Sequence, residues 1–155
     1  MFEKRLALSV PYDIPLAGHP TLAREMEALG YRDAWSLEVD GLDCFSPLTA
    51  LAHGTNLRLG TAIANVFTRG PATLAQSAAA VAEMAPGRFV LGIGAGSAPI
   101  VEGWNSGHFA RPATRVRENS DVPAGGVRGR TGGDAGADAD RERLPYDAAA
   151  GAAHP

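Results

Sequence analysis

Cysteine is nearly absent from this chain. Cys44 stands alone among 155 residues, which excludes an internal disulfide framework and points to a reducing compartment. Long apolar runs are missing as well. None approaches the roughly 18 residues that would suggest a membrane span. Glu3, Lys4 and Arg5 follow Met1-Phe2 directly, where a secretory signal would begin its apolar stretch, so no signal peptide is expected. Neither sign of charge dominates: 14 Lys and Arg face 17 Asp and Glu, for a net charge of -3. Electrostatics therefore offers no reason to expect nucleic acid or an anionic membrane as partner. The four histidines, His19, His53, His108 and His154, lie far apart without the spacing of a metal-ligand motif. No metal site is expected, and each histidine is expected at the surface or at a cap. Together these absences make the cytoplasm the expected location.

Composition is uneven along the chain. Residues 1–118 carry nearly all the large apolar side chains, whereas 119–155 are mostly Gly, Ala, Asp, Arg and Pro. Ordering a residue's backbone costs roughly 1–2 kcal/mol, and such a segment buries too little to offset that. The expectation is one domain over 1–118 and a disordered tail over 119–155. The tail's bias is also that of an out-of-frame reading of GC-rich DNA, which suggests a frameshift or premature truncation.

The first 118 residues alternate short apolar runs with helical patterns. Leu6–Val10 reads as a strand ended by Pro11. Thr21–Leu29 places Leu22, Met26 and Leu29 at helical spacing, with Pro20 suited to a first position and Gly30 to a C-terminal stop. Strands follow at Ala34–Glu38, Leu57–Ile63 and Arg88–Ile93. Between them, Ser46 is expected to cap a helix beginning at Pro47, and Pro71 to open one whose Leu74, Ala78, Val81 and Ala85 share a face. Mostly apolar strands alternating with helices argue for an α/β fold with a parallel sheet. Strand starts lie roughly 25–30 residues apart, near the about 31 per unit of a (β/α)8 barrel of about 250 residues. A doubly wound sheet has similar spacing, so periodicity does not decide between them.

In both architectures ligands gather at the C-terminal strand ends. Three ends carry suggestive residues. Glu38 closes the second strand, where a carboxylate can orient substrate or act as acid or base. A solvated loop carboxylate is the plainer alternative there, as it is for Asp40 and Asp43, the latter also able to set up the turn before the second helix. Gly60-Thr61-Ala62-Ile63-Ala64-Asn65 leaves room for a planar ring, with Asn65 and Thr68 as hydrogen-bond donors; barrel packing explains the same small residues. Gly92-Ile93-Gly94-Ala95-Gly96-Ser97 allows backbone N–H groups to approach an anion. It falls short of a dinucleotide fingerprint because Ser97 stands where a glycine is needed, and Pro99 argues against a helix there. Cys44 has no activating base nearby and reads as an inert thiol. Trp35 and Trp104 read as core or pocket wall.

Ala34–Phe45, Gly60–Gln76, Gly87–Ser97 and the stretch from Trp104 through Arg111–Glu118 occur in the order and spacing of one family. Over about 118 residues the chain resembles the luciferase-like monooxygenases, especially their deazaflavin-dependent (coenzyme F-420) branch. The resemblance implies a partial TIM (β/α)8 barrel of about four βα units. It also implies an oxidoreductase holding coenzyme F-420, or alternatively FMN, at the strand C-termini. In that branch a non-prolyl cis peptide at the end of strand three backs the cofactor ring, and it maps onto Ala62–Ile63. Glu38 falls where the family often places an acid beside the reacting ring edge, followed here by Val39 rather than histidine. Asn65, Gly94, Ala95 and Gly96 fall at cofactor-contacting positions. Later barrel strands, which usually supply much of the cofactor's phosphate site, have no counterpart after Glu118. Hydride transfer between the cofactor and a small organic substrate is thus the first expectation. A non-catalytic half-barrel, inactive alone or needing a partner chain and self-associating through exposed sheet edges, is the second. An independent nucleotide-binding module built on Gly92–Ser97 is the third.

Overall fold

Short strand-forming runs alternate with proline-opened helices, and the computed structural model, which describes residues 5–127, turns that alternation into four parallel βα units. β1 (Leu6–Ser9) leads through a 3-10 turn (Leu16–Gly18) to α1 (His19–Ala28), and β2 (Tyr31–Ser36) leads to α2 (Ser46–Ala52). β3 (Arg58–Thr61) and the two-residue β4 (Ala64–Asn65) precede α3 (Pro71–Met84). β5 (Phe89–Val90) and β6 (Ile93–Gly94) precede a π-helical turn (Pro99–Trp104) and α4 (Pro112–Val127). The main sheet runs β1-β2-β3-β5, every pair parallel. Spatial order equals chain order, without the reversal that creates the crevice of a doubly wound sheet. This is the succession of a barrel wall, and it settles the choice that periodicity left open.

The described chain divides into two compact units. One takes in the chain up to Ala64 together with Ala80–Gly94; the other takes in Asn65–Ala79 and the chain from Ala95 on. In the first unit the register pairs Ala34 with Leu59 and Ser36 with Thr61, and all four are buried on the face covered by helices. Ala23, Met26, Leu48 and Leu51 complete this core from α1 and α2. Each fully buried large side chain contributes roughly 1.5–3 kcal/mol through apolar area removed from water. Pro20 lies in the first turn of α1, and Gly30 stops it at φ 87°, as the sequence predicts. In the second unit the rings of Phe67 and Phe109 lie 5.0 Å apart, with the Arg115 guanidinium 5.9 Å from the Phe67 ring. Leu74, Ala78, Val81 and Ala85 are all buried, so the expected inward face of α3 is the observed one.

Several expectations are corrected. β2 begins at Tyr31 and ends at Ser36, so Glu38 stands beyond the strand. The run Arg88–Ile93 forms two short strands rather than one, because Gly92 turns its N–H to the Thr61 side chain at 2.9 Å. Ser46 is the first residue of α2, not its cap. Asp43 supplies the capping oxygen instead, with Oδ1 accepting from Phe45 N at 2.8 Å and Ser46 N at 3.1 Å. A short π-helical turn does begin at Pro99, at a first-turn position where proline is tolerated. α4 carries the chain through the boundary expected at Asn119, whose side chain is buried and donates to Arg115 O at 2.8 Å. The remainder of the expected tail, 128–155, lies outside the described residues. Among the described residues no helix is long and apolar enough to cross a membrane.

Candidate functional site

Within the first unit, hydrogen bonds fasten the ends of β2, β3 and β5 to one another. Ser36, the last residue of β2, accepts from Ala62 N at 2.7 Å through its carbonyl. Its hydroxyl donates to the Cys44 carbonyl, so one residue ties the end of β3 to the loop after β2. Thr61 and Gly92 are bonded reciprocally: Thr61 Oγ1 donates to Gly92 O at 2.7 Å and accepts from Gly92 N at 2.9 Å. Ala64 N donates to the same Gly92 carbonyl at 2.8 Å. Between these anchors the Ala62–Ile63 peptide is cis, at the position onto which the family's cis peptide maps. Ala62 is exposed and Ile63 half-buried.

The glycines are explained by close approach. A Cβ on Gly92 would stand 2.1 Å from Thr61 O, and one on Gly94 would stand 2.9 Å from Ile63 Cγ1. Gly92 thus spends its N–H on Thr61 rather than holding it for an anion. Gly60 is corrected in the same way. Its open face is filled by the indole of Trp35, its register partner, and a Cβ there would meet Cζ3 at 2.2 Å. The planar ring that Gly60 admits is the protein's own.

In the second unit, Asn65 is fully buried and its Oδ1 accepts from Phe67 N at 2.8 Å, shaping its own loop. Gly96 has φ 67° and approaches the Asn65 amide so closely that a Cβ would lie 2.2 Å from Nδ2. Ala95 is half-buried beside it in sequence. The candidate residues therefore form two local pairings, Ile63 with Gly94 and Asn65 with Gly96. Glu38 is half-buried in the loop that Ser36 and Asp43 fix at its two ends.

The opposite, N-terminal end of the sheet holds a feature that sequence reasoning missed. Asp33 is buried and receives Arg5 Nε at 3.0 Å, Arg5 Nη2 at 3.2 Å and Arg58 Nε. Burial pulls its carboxyl upward, but the hydrogen bonds and charges of Arg5 and Arg58 outweigh this and hold it below the ordinary value. Arg5 immediately precedes β1, Asp33 is the third residue of β2 and Arg58 opens β3, away from the strand ends where ligands collect, so their work is structural. Only the β-sheet register brings them together. An Asp in the middle of the strand run Tyr31–Ser36 was the available signal.

Other expectations also change. His19 is at a cap, as one of the two expectations had it: it closes the 3-10 turn and opens α1, fully buried, with Nδ1 3.1 Å from Pro15 O. His53 and His108 are exposed, and His154 lies outside the described residues. Trp104 is largely exposed instead of forming a wall, while Cys44 is buried as expected.

The C-terminal ends of successive parallel strands are where a barrel fold gathers its ligands. Comparison with known proteins identifies which barrel family this is. The profile of the luciferase-like monooxygenases matches residues 3–144, and the chain belongs to that family. A Mycobacterium tuberculosis protein named as a coenzyme F-420-dependent oxidoreductase is 31% identical over 109 residues, covering 70% of this chain and 31% of the relative. The coenzyme F-420-dependent tetrahydromethanopterin reductase of Methanopyrus kandleri superposes with a TM-score of 0.69 at 23% identity, over 80% of this chain and 40% of that one. The oxygenating constituent of 3,6-diketocamphane monooxygenase from Pseudomonas putida, solved in complex with FMN, gives 0.63 at 19% identity, over 77% and 38%. The chain spans about a third of the length of the curated relatives it matches.

Proposed function

We propose that this chain carries the ring-facing part of an oxidoreductase site that uses coenzyme F-420, with FMN as the alternative, on a small organic substrate. The observation that supports this most is the fastening of three strand ends through Ser36–Ala62, Thr61–Gly92 and Ile63–Gly94. It holds an exposed stretch of backbone beside the Glu38 loop. Ala62 is exposed and projects only a methyl group, so a planar ring can reach the main chain there. The fit is to the ring and not to a phosphate tail, because Glu38, Ala62, Ile63, Asn65, Gly94, Ala95 and Gly96 include no Lys or Arg.

The bound cofactor supplies hydride transfer, or oxygen chemistry if it is a flavin. Glu38 holds or delivers a proton beside the reacting edge of the ring, unaided by a following histidine because Val39 stands there. With the cofactor bound, the Ala62–Ile63 backbone would hold one face of the ring, and Gly94 would support Ile63 from behind. Asn65, Ala95 and Gly96, which continue the chain from these two points, are proposed as further contacts. F-420 is preferred to FMN because the Mycobacterium and Methanopyrus proteins are named for it; the Pseudomonas complex keeps FMN in consideration.

The test is titration of reduced deazaflavin, and separately of FMN, into the full chain, followed by cofactor fluorescence and by sedimentation. Saturable binding to a monodisperse species, weakened at least tenfold by a bulky side chain at the exposed Ala62 (Ala62→Trp), is expected. No binding of either cofactor would leave the non-catalytic reading in its place.

A further inference from the structure

Along its edge with β2, strand β3 keeps regular step. Ser36 stands opposite Thr61, and Ala62 N donates to Ser36 O at 2.7 Å, as a parallel ladder requires. Along its edge with β5 the step is broken. Leu59 stands opposite Phe89 and its N donates to Arg88 O at 2.8 Å. Continued regularly, that ladder would give Gly92 N to the Thr61 carbonyl and bring Ile63 N to Gly92 O. Instead Gly92 N goes to Thr61 Oγ1 at 2.9 Å. Gly92 O receives Thr61 Oγ1 at 2.7 Å and Ala64 N at 2.8 Å. One residue more than the ladder needs therefore lies between Thr61 and Ala64, and the exposed Ala62 falls within that stretch.

We infer that Thr61 is a positioning residue of this site: its hydroxyl takes the place of main chain where the ladder breaks, and so fixes the Ala62 backbone beside the cofactor ring. The inference rests on the oxidoreductase reading above and adds to it the side chain that sets the ring's place. A threonine hydroxyl carries one donor and two acceptor sites, so it can serve the N–H and the C=O of Gly92 together. Valine has the same shape and neither function. Thr61 is 1% exposed, so solvent does not compete for its hydroxyl, and its branched Cβ restricts the rotamer that aims it. Gly92 is matched to the same contact, since a Cβ there would stand 2.1 Å from Thr61 O. With its hydrogen given to Gly92, Thr61 acts on the ring through the main chain and not by touching it. Placement at this level matters, because a displacement of about 1 Å can cost about 10²-fold in rate.

The full chain is compared as wild type, Thr61→Ser and Thr61→Val. Amide hydrogen exchange is read without cofactor, followed by titration of deazaflavin, or of FMN if the wild type takes that instead. In the valine variant the Gly92 and Ala64 amides are expected to exchange at least about tenfold faster, while the Leu59 amide, on the regular part of the ladder, keeps its protection. Cofactor affinity should fall at least about tenfold with valine and stay within about threefold with serine, which keeps the hydroxyl. Packing alone predicts the opposite order, since serine loses a methyl group that valine keeps. Unchanged exchange at Gly92 and Ala64 in the valine variant, or cofactor affinity equal to that of the wild type, overturns the inference. Should the valine variant not fold, the other two proteins decide: a Gly92 amide that exchanges like an open one in either, or loss of cofactor binding with serine, overturns it. Wild type that binds neither cofactor sinks the oxidoreductase reading and this role with it, whereas cofactor binding that tolerates valine sinks the role alone.

Discussion

Single side chains hold the site and the far end of the sheet by different physics. Gly92 touches the Thr61 main chain, so Gly92→Ala places a Cβ 2.1 Å from a backbone oxygen that cannot swing aside. Overpacking of that kind costs roughly 1–3 kcal/mol, and a urea midpoint lowered accordingly is expected. An unchanged midpoint would show that the Thr61–Gly92 bonding is not as described. Glu38 has a chemical role in the proposed reaction. Glu38→Gln should leave deazaflavin affinity within about twofold and reduce kcat by about 10²- to 10⁴-fold, measured on a cofactor-loaded enzyme. Asp33 is structural. Its carboxyl is held below the ordinary value by Arg5 and Arg58 against the opposing pull of burial. A lowered native value means that the unfolded chain takes up protons first as pH falls. The stabilisation is therefore complete above the ordinary carboxylate value near 4 and is lost as pH drops through the lower native one. Both arginines are nearly half exposed, at 48% and 43%, so solvent screens the pairs. Asp33→Asn is expected to cost about 1–2 kcal/mol at neutral pH and to flatten the fall in stability below about pH 4. Urea denaturation from pH 7 to 2 reads both, and parallel curves for the two proteins would count against the ion cluster.

Elements were legible where local chemistry decides them. Pro20 and Gly30 bracket α1, Pro71 opens α3, and Leu74, Ala78, Val81 and Ala85 share a buried face because a helix repeats every 3.6 residues. The ends of β2 and β5 were not legible, because a strand stops where its partner stops pairing and not where its apolar run ends. The start of α2 was misassigned by the same kind of competition. Ser46 is a good cap in isolation, but Asp43 reaches both Phe45 N and Ser46 N, and Ser46 Oγ donates to Asp43 Oδ2. Asp43→Ala should destabilise the chain by about 1 kcal/mol, whereas Ser46→Ala should cost less than half of that. Thermal or urea melts giving the reverse order would return the cap to Ser46.

At the scale of the molecule, β1 and β5 are the outer strands of the sheet among the described residues. Leu6 on β1 is 54% exposed and Val90 on β5 37%. Outer strands with accessible apolar side chains pair with other chains. The purified chain is therefore expected to associate more strongly as concentration rises, and Val90→Lys should lower its weight-average sedimentation coefficient. A concentration-independent monomer would show that these edges are protected.

The sequence by itself determined the alternation of strands and helices, most of the helix starts and the ring of residues worth watching, because all of these follow from local propensity and periodicity. Its likeness to a known family also located the Ala62–Ile63 peptide. The same likeness implied the barrel that the strand order bears out, whereas tertiary structure alone decided the ring that fills the face of Gly60 and the gathering of Arg5, Asp33 and Arg58. Each of these depends on which residues stand opposite one another across neighbouring strands. That is a matter of register between distant segments, and no local pattern in the chain encodes it.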